Sequence, residues 1–479
     1  MTYSEDLETR ESHCIIDGVE RSSARVREVR SPYDNRLVTR VYDADSGVVE
    51  AALSAGKSGV DIMADLSPRR RRALLLKAAS LLEDQSEAIA HTLALETGKV
   101  IRDCRTELAR SVDVITLSAE ESIRICGRQI PLEASAAGEG KLAYTARFPV
   151  GLVAGIVPFN APVTLTCHKV APALAAGNAI IVKAPPQAPR TTELAVRAFL
   201  DAGFPPQAIS LLHGNKEAGE QLVADPRVDF LSFTGSHTAG LSIKAKSGTR
   251  GCILELGGVG PTIVHRDADL ERAATMACQA GFRLAGQSCA SVQNLFVQKE
   301  VSDRFSEILV EKVSALKIGD PLDPYSDLGP VIDENAAARI QATVKDAVAQ
   351  GAKMLTGGQR EGMMISPIVL SMVEPEMTVA RSEIFGPVVA LRTYEDIEQV
   401  FDWIKKSEMG INCGIFTDSQ SLALRAFREI PAAAIILNGT STFRPDQMPY
   451  GGVRKSGYGK ESPKETIRAM TLERILVFS

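Results

Sequence analysis

GLVAGIV (151–157), NAIIVKA (178–184), AISLLHG (208–214), VDFLSFT (228–234) and CILELGG (252–258) decide the fold. Each is a short apolar run of the kind buried on both faces of a parallel sheet. Helical patterns separate them, notably at 189–202 and 238–246. Strand alternating with helix predicts an α/β fold with a doubly wound sheet. The first run belongs to a longer uncharged stretch, VGLVAGIVPFNAPVTLTC (150–167), that approaches transmembrane length. Pro158, Asn160 and Pro162 interrupt it, and His168 and Lys169 close it. A lipid-facing helix would leave the Asn and the broken hydrogen bonds unsatisfied. The stretch therefore reads as a buried strand, a turn and a helix.

A second α/β series follows. A helix at 269–284 leads to QNLFVQ, a helix from about Ser302, the strand-like PIVLSMV and VVALRTY, a helix near 397–406, then CGIFTD and AAIILNG. Before the first sheet, a strand-rich start gives way to helices. Ser67 offers an N-cap and Pro68 the first helical position, and Gly98 reads as a stop signal for the next helix. The run Arg69–Arg72 reads as a solvated helix face, since no basic stripe extends it. Between Cys126 and Val150 an alternating segment with a Gly-rich turn predicts a hairpin that projects from the body. The last strand, ERILVFS, is placed to pair with the hairpin of this or another subunit.

The chain has 479 residues, about three times the ~150-residue prior for one domain, so two or three domains are expected. Hydrophobic residues make up 45% and charged residues 24%, which excludes a disordered chain and a coiled coil. The net charge is −5, with no basic excess to suggest nucleic acid. The eight cysteines are too dilute for a disulfide scaffold, and none stand as C-x-x-C, so no zinc framework is expected. The opening MTYSEDLETRESH is too acidic and polar for a signal peptide. These features together point to a soluble, most simply cytoplasmic protein.

Three residues suggest chemistry. Cys289 in FRLAGQSCASVQ is flanked by small residues and Gly286, so it sits where a backbone can approach a ligand closely. Taken alone, a cysteine is more often a small core hydrophobe. Glu255 sits at the end of a strand expected to be buried, where open α/β sheets bind ligands. Desolvation there would raise its pKa and suit a general base; a salt-bridged structural Glu is the plain alternative. Asn160, in the turn after GLVAGIV, can donate to an oxyanion or simply serve the turn. FTGSHTAG places Gly235 and Gly240 around a strand-to-helix turn able to receive a pyrophosphate.

FNAP, IVKAP, FTGS, LELGG, GQSC and EIFGPV, in this order, resemble the NAD(P)-dependent aldehyde dehydrogenase superfamily. ETGK (96–99) and PYGGVRKSGYGKE (449–461) extend the resemblance over nearly the whole chain. It implies two Rossmann-like doubly wound domains plus a small β oligomerisation arm. The NAD(P)-binding domain would take 1–126 and 148–257, the catalytic domain 258–447, and the arm 127–147 and 462–479. The resemblance implies that Cys289 is the nucleophile, Glu255 the base that activates water, and Asn160 part of the oxyanion hole. Lys183 would meet the adenosine ribose, Gly235 and Ser236 the diphosphate, Glu383 the nicotinamide ribose, and Phe385 would pack near the nicotinamide. It also implies a homodimer or homotetramer and no metal.

The sequence departs from the family pattern at Ala184, Pro186 and Val259, where a proline, an acid and a lysine are common. Without an acid at Pro186, NADP is expected to be accepted alongside NAD. The positions matching the substrate tunnel hold Arg110, Leu165, His168, Arg283 and Arg444. Up to three arginines and a histidine predict a short polar or anionic aldehyde, oxidised to its acid, although each taken singly reads equally well as a salt bridge. A phosphorylated aldehyde fits less well, since Ser288 stands where phosphate-binding relatives often place Arg. The alternatives are a CoA-acylating enzyme, which tends to lack the glutamate, and a non-catalytic member of the fold, which should have lost Cys289, Glu255 or Asn160.

Overall fold

Alternation along single strands builds the first core. Val153, Ile180, Val182, Ile209 and Leu211 point to one face of a sheet, where they pack on the helices Pro162–Ala176 and Pro189–Ala202. Leu152, Ala154, Ile181, Leu212 and Leu254 point to the other, against the helices Ser46–Asp65 and Lys216–Ala224. A strand with apolar residues on both faces is stable only when helices cover both, and they do. The computed structural model describes residues 10–479. The reading of the opening segment falls mostly on residues 1–9, outside the described residues.

The strands of this eight-stranded sheet run, across its width, 457–458, 251–255, 230–234, 152–156, 179–183, 209–212, 14–16 and 19–21. The five from 251–255 to 209–212 are mutually parallel; 14–16 and 457–458 join antiparallel at either side. The chain order reverses between 152–156 and 230–234, a topological switch point. A second sheet of seven strands runs 353–356, 368–371, 388–394, 294–298, 261–264, 412–416 and 434–437, parallel except at the 353–356 edge. Helices Leu270–Phe282 and Lys299–Ser314 cover one face, and Ile397–Lys406 and Gln420–Glu429 pack on the other.

The uncharged stretch at 150–167 is the strand Leu152–Ile156, a loop, and the start of the wholly buried helix Pro162–Ala176. The final strand Thr471–Phe478 pairs antiparallel with Leu142–Pro149 of the same chain, and Gln129–Ile130 completes a separate three-stranded sheet. The arginine run needs a correction. Arg69, Arg70 and Arg72 are exposed, but Arg71 is buried, its guanidinium lying against Gly177 at the end of a core helix. Among the described residues, no helix is long and apolar enough to cross a membrane.

Candidate active site

The loops that leave the carboxyl ends of 152–156, 230–234 and 251–255 meet a loop of the second sheet around a cavity of about 960 Å³. Cys289, Glu255 and Asn160 all line it, as do Gly235, Ser236, Glu383 and Phe385.

Cys289 follows a tight turn in which Leu284, Ala285 and Gly286 all take positive φ, at 57°, 52° and 70°. Non-glycine residues pay for that conformation, so the surrounding packing must hold the turn. A Cβ on Gly286 would lie 2.0 Å from the carbonyl oxygen of Gly386. The close approach at Gly286 is thus to the loop that carries Glu383 and Phe385, where a ligand was expected. The glycine pair after Glu255 does similar work: a Cβ on Gly257 would meet the Glu383 carboxylate at 2.1 Å, and one on Gly258 the Cys289 carbonyl at 2.9 Å. Three motifs far apart in sequence interlock because these glycines have no side chain.

Asn160 donates from Nδ2 to the carbonyl of Gln287 at 3.0 Å, which ties its amide to the turn before Cys289. The helix behind it begins with Pro162 and has no cap from Ala161. Glu107, reaching from the helix Ile101–Ser122, accepts instead from Val163 N–H at 2.8 Å and pairs with buried Lys99.

Glu255 is 2% exposed, and neither carboxylate oxygen has a hydrogen-bond partner among the described residues. Burial and the neighbouring Glu461 carboxylate hold its pKa well above the usual range, against Arg444, Lys169 and Lys460. Glu461 is also buried but stays ionised, because Lys169 Nζ lies 3.2 Å away and Arg444 Nη2 donates at 2.9 Å. Burial likewise pushes the Cys289 thiol up to about 11, opposed by a hydrogen bond with Tyr450 and by Arg444.

The cofactor side is built from backbone and one carboxylate. Gly235 N–H donates to the Glu255 carbonyl at 3.0 Å, and Ser236 caps the helix His237–Ser247, whose N-terminus faces the cavity. That end of a helix favours a diphosphate. Glu383 accepts from Gly258 N–H at 3.4 Å, and burial lifts its pKa to about 7. Phe385 meets Phe159 edge-to-face at 5.8 Å. These residues fit a nicotinamide dinucleotide. Lys183 and Pro186 lie further along the same sheet edge, beyond the cavity's walls. Burial lowers the Lys183 pKa to about 8, and Arg27 donates to the Pro186 carbonyl at 2.8 Å. Ala184 N–H bonds the Leu212 carbonyl at 2.9 Å, a bond the family's proline could not make.

The tunnel residues fare unequally. Arg110, Leu165, Arg283 and Arg444 line the cavity. His168 does not: it is wholly buried behind the wall, its Nε2 3.1 Å from Asp446. Each arginine already has an acid: Arg110 forks onto Asp446 at 2.6 and 3.2 Å, Arg283 bonds Asp103 at 3.1 Å, and Arg444 bonds Glu461. Despite burial, bonds from His168 and Arg110 hold the Asp446 pKa down at about 2. Sequence reading passed over Lys169, Glu461 and Tyr450. A lysine on an otherwise apolar helix was the available signal for the first.

A doubly wound α/β scaffold whose switch point opens on a cavity lined by a cysteine, a buried glutamate and a helix N-terminus suited to a diphosphate defines a nicotinamide-dependent enzyme. The aldehyde dehydrogenase family pattern matches residues 19–475, and the chain belongs to that family. It is 40% identical over 465 residues to 3-sulfolactaldehyde dehydrogenase of Priestia megaterium, with 97% of each chain covered. Among solved structures, aldehyde dehydrogenase 21 from Physcomitrella patens, in complex with the reaction product succinate, superposes with a TM-score of 0.95 at 34% identity, covering 98% of both chains. NADP-dependent glyceraldehyde-3-phosphate dehydrogenase from Bacillus halodurans, complexed with NADP, gives 0.96 at 32% identity over 98% of this chain and 99% of that one. The chain is an enzyme that oxidises an aldehyde with NAD or NADP.

Proposed function

We propose that the substrate is a short aldehyde carrying a carboxylate or sulfonate, oxidised to its acid by hydrolysis of a Cys289 thioester. Cys289 thiolate attacks the aldehyde carbon, and Asn160 stabilises the oxyanion beside it. The bound nicotinamide supplies the hydride acceptor. Glu255 then takes a proton from water as it attacks the thioester, and Cys289 leaves as thiolate. An unpartnered carboxylate with a raised pKa suits that step.

One observation carries the substrate class. The cavity wall presents Lys99, Arg110, Arg283, Arg339 and Arg444 against Glu107, Glu255 and Glu383. The acids paired with Arg110, Arg283 and Arg444 lie outside that wall, so the surface a substrate meets is cationic. The sulfonated substrate named for the Priestia relative agrees with this charge. Arg283 gives the cleaner test, because Arg444 also holds Glu461 beside Glu255. Arg283→Leu is expected to raise KM for succinic semialdehyde about tenfold, roughly 1.4 kcal/mol, while sparing propanal. Equal losses on both aldehydes, or a wild type that prefers hexanal, would overturn the assignment. On cofactor, Pro186 offers no carboxylate to repel a 2′-phosphate, while Arg27 beside Lys183 is already paired with Asp43; NADP is accepted alongside NAD. With eight free cysteines and a net charge of −5, we place the enzyme in the cytoplasm, as a homo-oligomer.

A further inference from the structure

Tyr450 lies in the cavity wall and is 2% exposed. Its main chain is clamped to the segment that carries Glu461, donating to the Glu461 carbonyl at 3.1 Å and accepting the Glu461 N–H at 2.6 Å. The Arg444 guanidinium sits over its ring, 3.9 Å from the centroid. Its hydroxyl is 3.1 Å from Cys289 Sγ. Backbone clamp and stacked cation thus fix the phenol in two ways, and both aim its O–H at the sulfur.

The site around that sulfur otherwise disfavours charge. Burial and the carboxylates of Glu383 and Glu255 oppose a thiolate, and only Tyr450 and Arg444 work for it. A hydrogen bond to an ionised acceptor is about twice as strong as a neutral one, so a phenol here favours the thiolate over the thiol. A cation on the ring face draws density from the phenol and makes its O–H the stronger donor. A phenylalanine would fill the same volume and give the sulfur nothing.

We propose that the Tyr450 hydroxyl is a further catalytic group, donating to Cys289 Sγ and holding the thiolate that attacks the aldehyde. The thiol proton leaves to solvent through the open cavity, and Tyr450 keeps its own. When the S–C bond forms, the carbonyl π pair moves to oxygen and the sulfur becomes neutral, so the bond from Tyr450 weakens as it is no longer needed. Arg444 is a positioning residue for this contact.

The inference rests on Cys289 being the nucleophile, and the experiment separates the two. Cys289 is alkylated with iodoacetamide from roughly pH 6 to 10, and its peptide is followed by mass spectrometry, which sets it apart from exposed Cys126. In Tyr450→Phe the midpoint of the profile is expected to rise by about half a unit or more, slowing alkylation near pH 7 about threefold while the high-pH limit is unchanged. A superimposable profile, or an equal slowing at every pH, overturns the role of Tyr450. A Cys289→Ala enzyme with full activity would instead overturn the nucleophile itself. Should Tyr450→Phe not fold, 3-fluorotyrosine incorporated into the wild-type chain gives the same readout with the hydroxyl kept: the more acidic phenol moves the Cys289 profile down, and an unmoved profile overturns the proposal.

Discussion

Glu255 is a buried carboxyl group with no hydrogen-bond partner among the described residues, which is costly for the fold and suits the water-activating role proposed for it. Cys289→Ala is expected to abolish NAD(P)H formation, whereas Glu255→Gln should keep a rapid burst of one NAD(P)H per site and then turn over slowly. Rapid-mixing absorbance distinguishes them, and loss of the burst in Glu255→Gln would assign the glutamate an earlier role. The pH dependence has a definite sign. In the proposed mechanism Glu255 is ionised when it activates water, and its pKa is raised, so steady-state turnover is expected to fall as pH drops through that raised value. A folded-state pKa above the unfolded one contributes stability at low pH that is lost as pH rises. Glu255→Gln should therefore gain melting temperature over wild type at pH 8 and little at pH 5, in thermal scans at both. At the cofactor end, Pro186→Glu places a carboxylate where Arg27 now bonds a carbonyl. The NADP-to-NAD ratio of kcat/KM should fall about tenfold, and an unchanged ratio would show that selection lies elsewhere.

At the scale of elements, the helix Pro162–Ala176 matters most, because it presents Asn160 from its leading loop and Lys169 from its body. Its N-terminus is satisfied by Glu107 rather than by its own sequence. Glu107→Ala would orphan the Val163 N–H and leave buried Lys99 without its carboxylate. Denaturant melts should show a loss of about 3 kcal/mol or more, with kcat falling as Asn160 loses its support. Glu107→Gln keeps an acceptor for the N–H and should cost less. Elements with local punctuation were legible in the chain. The helix Pro189–Ala202 starts on its proline and ends before Gly203 at φ 102°, and Ile397–Lys406 starts after Asp396, which caps it. The strand Pro261–Val264 was not singled out, although it lies inside the second sheet between 294–298 and 412–416. Four residues behind a glycine-rich turn give too short a run for periodicity to register. The helix Glu334–Ala349 also passed unread, since its buried stripe of Ala337, Ile340, Val344 and Ala347 is half alanine and marks the period weakly. For the candidate site, the motifs were enough to single out Cys289, Glu255 and Asn160, which the fold brings to one cavity. A salt bridge at each arginine was an open reading, but its partner was not legible, because Asp103, Asp446 and Glu461 come from segments that only the fold brings together.

The whole molecule carries one feature that a single chain leaves unfinished. The three-stranded sheet of Thr471–Phe478, Leu142–Pro149 and Gln129–Ile130 stands apart from both large sheets. Leu472, Ile475, Leu476, Val477 and Phe478 are between 44% and 60% exposed, and Tyr144 and Phe148 on the paired strand are exposed as well. An apolar patch of this kind marks an association surface, and the outer edge of 471–478 offers unpaired backbone groups that natural proteins cover. Hydrogen bonding inside the chain is already complete along eight residue pairs between the two long strands, so the arm is formed before any partner arrives. Its apolar side chains are what remain to be buried. The enzyme is therefore expected to sediment as a dimer or tetramer, and a chain ending at Met470 to sediment as a smaller species. That truncation removes a strand whose side chains are mostly exposed, so it should spare the cores of both large sheets and leave the far-ultraviolet circular dichroism close to wild type. Sedimentation velocity on the two proteins at equal concentration decides the point. A monomeric wild type, or a truncated chain that keeps the wild-type mass, would mean that this arm does not join the subunits.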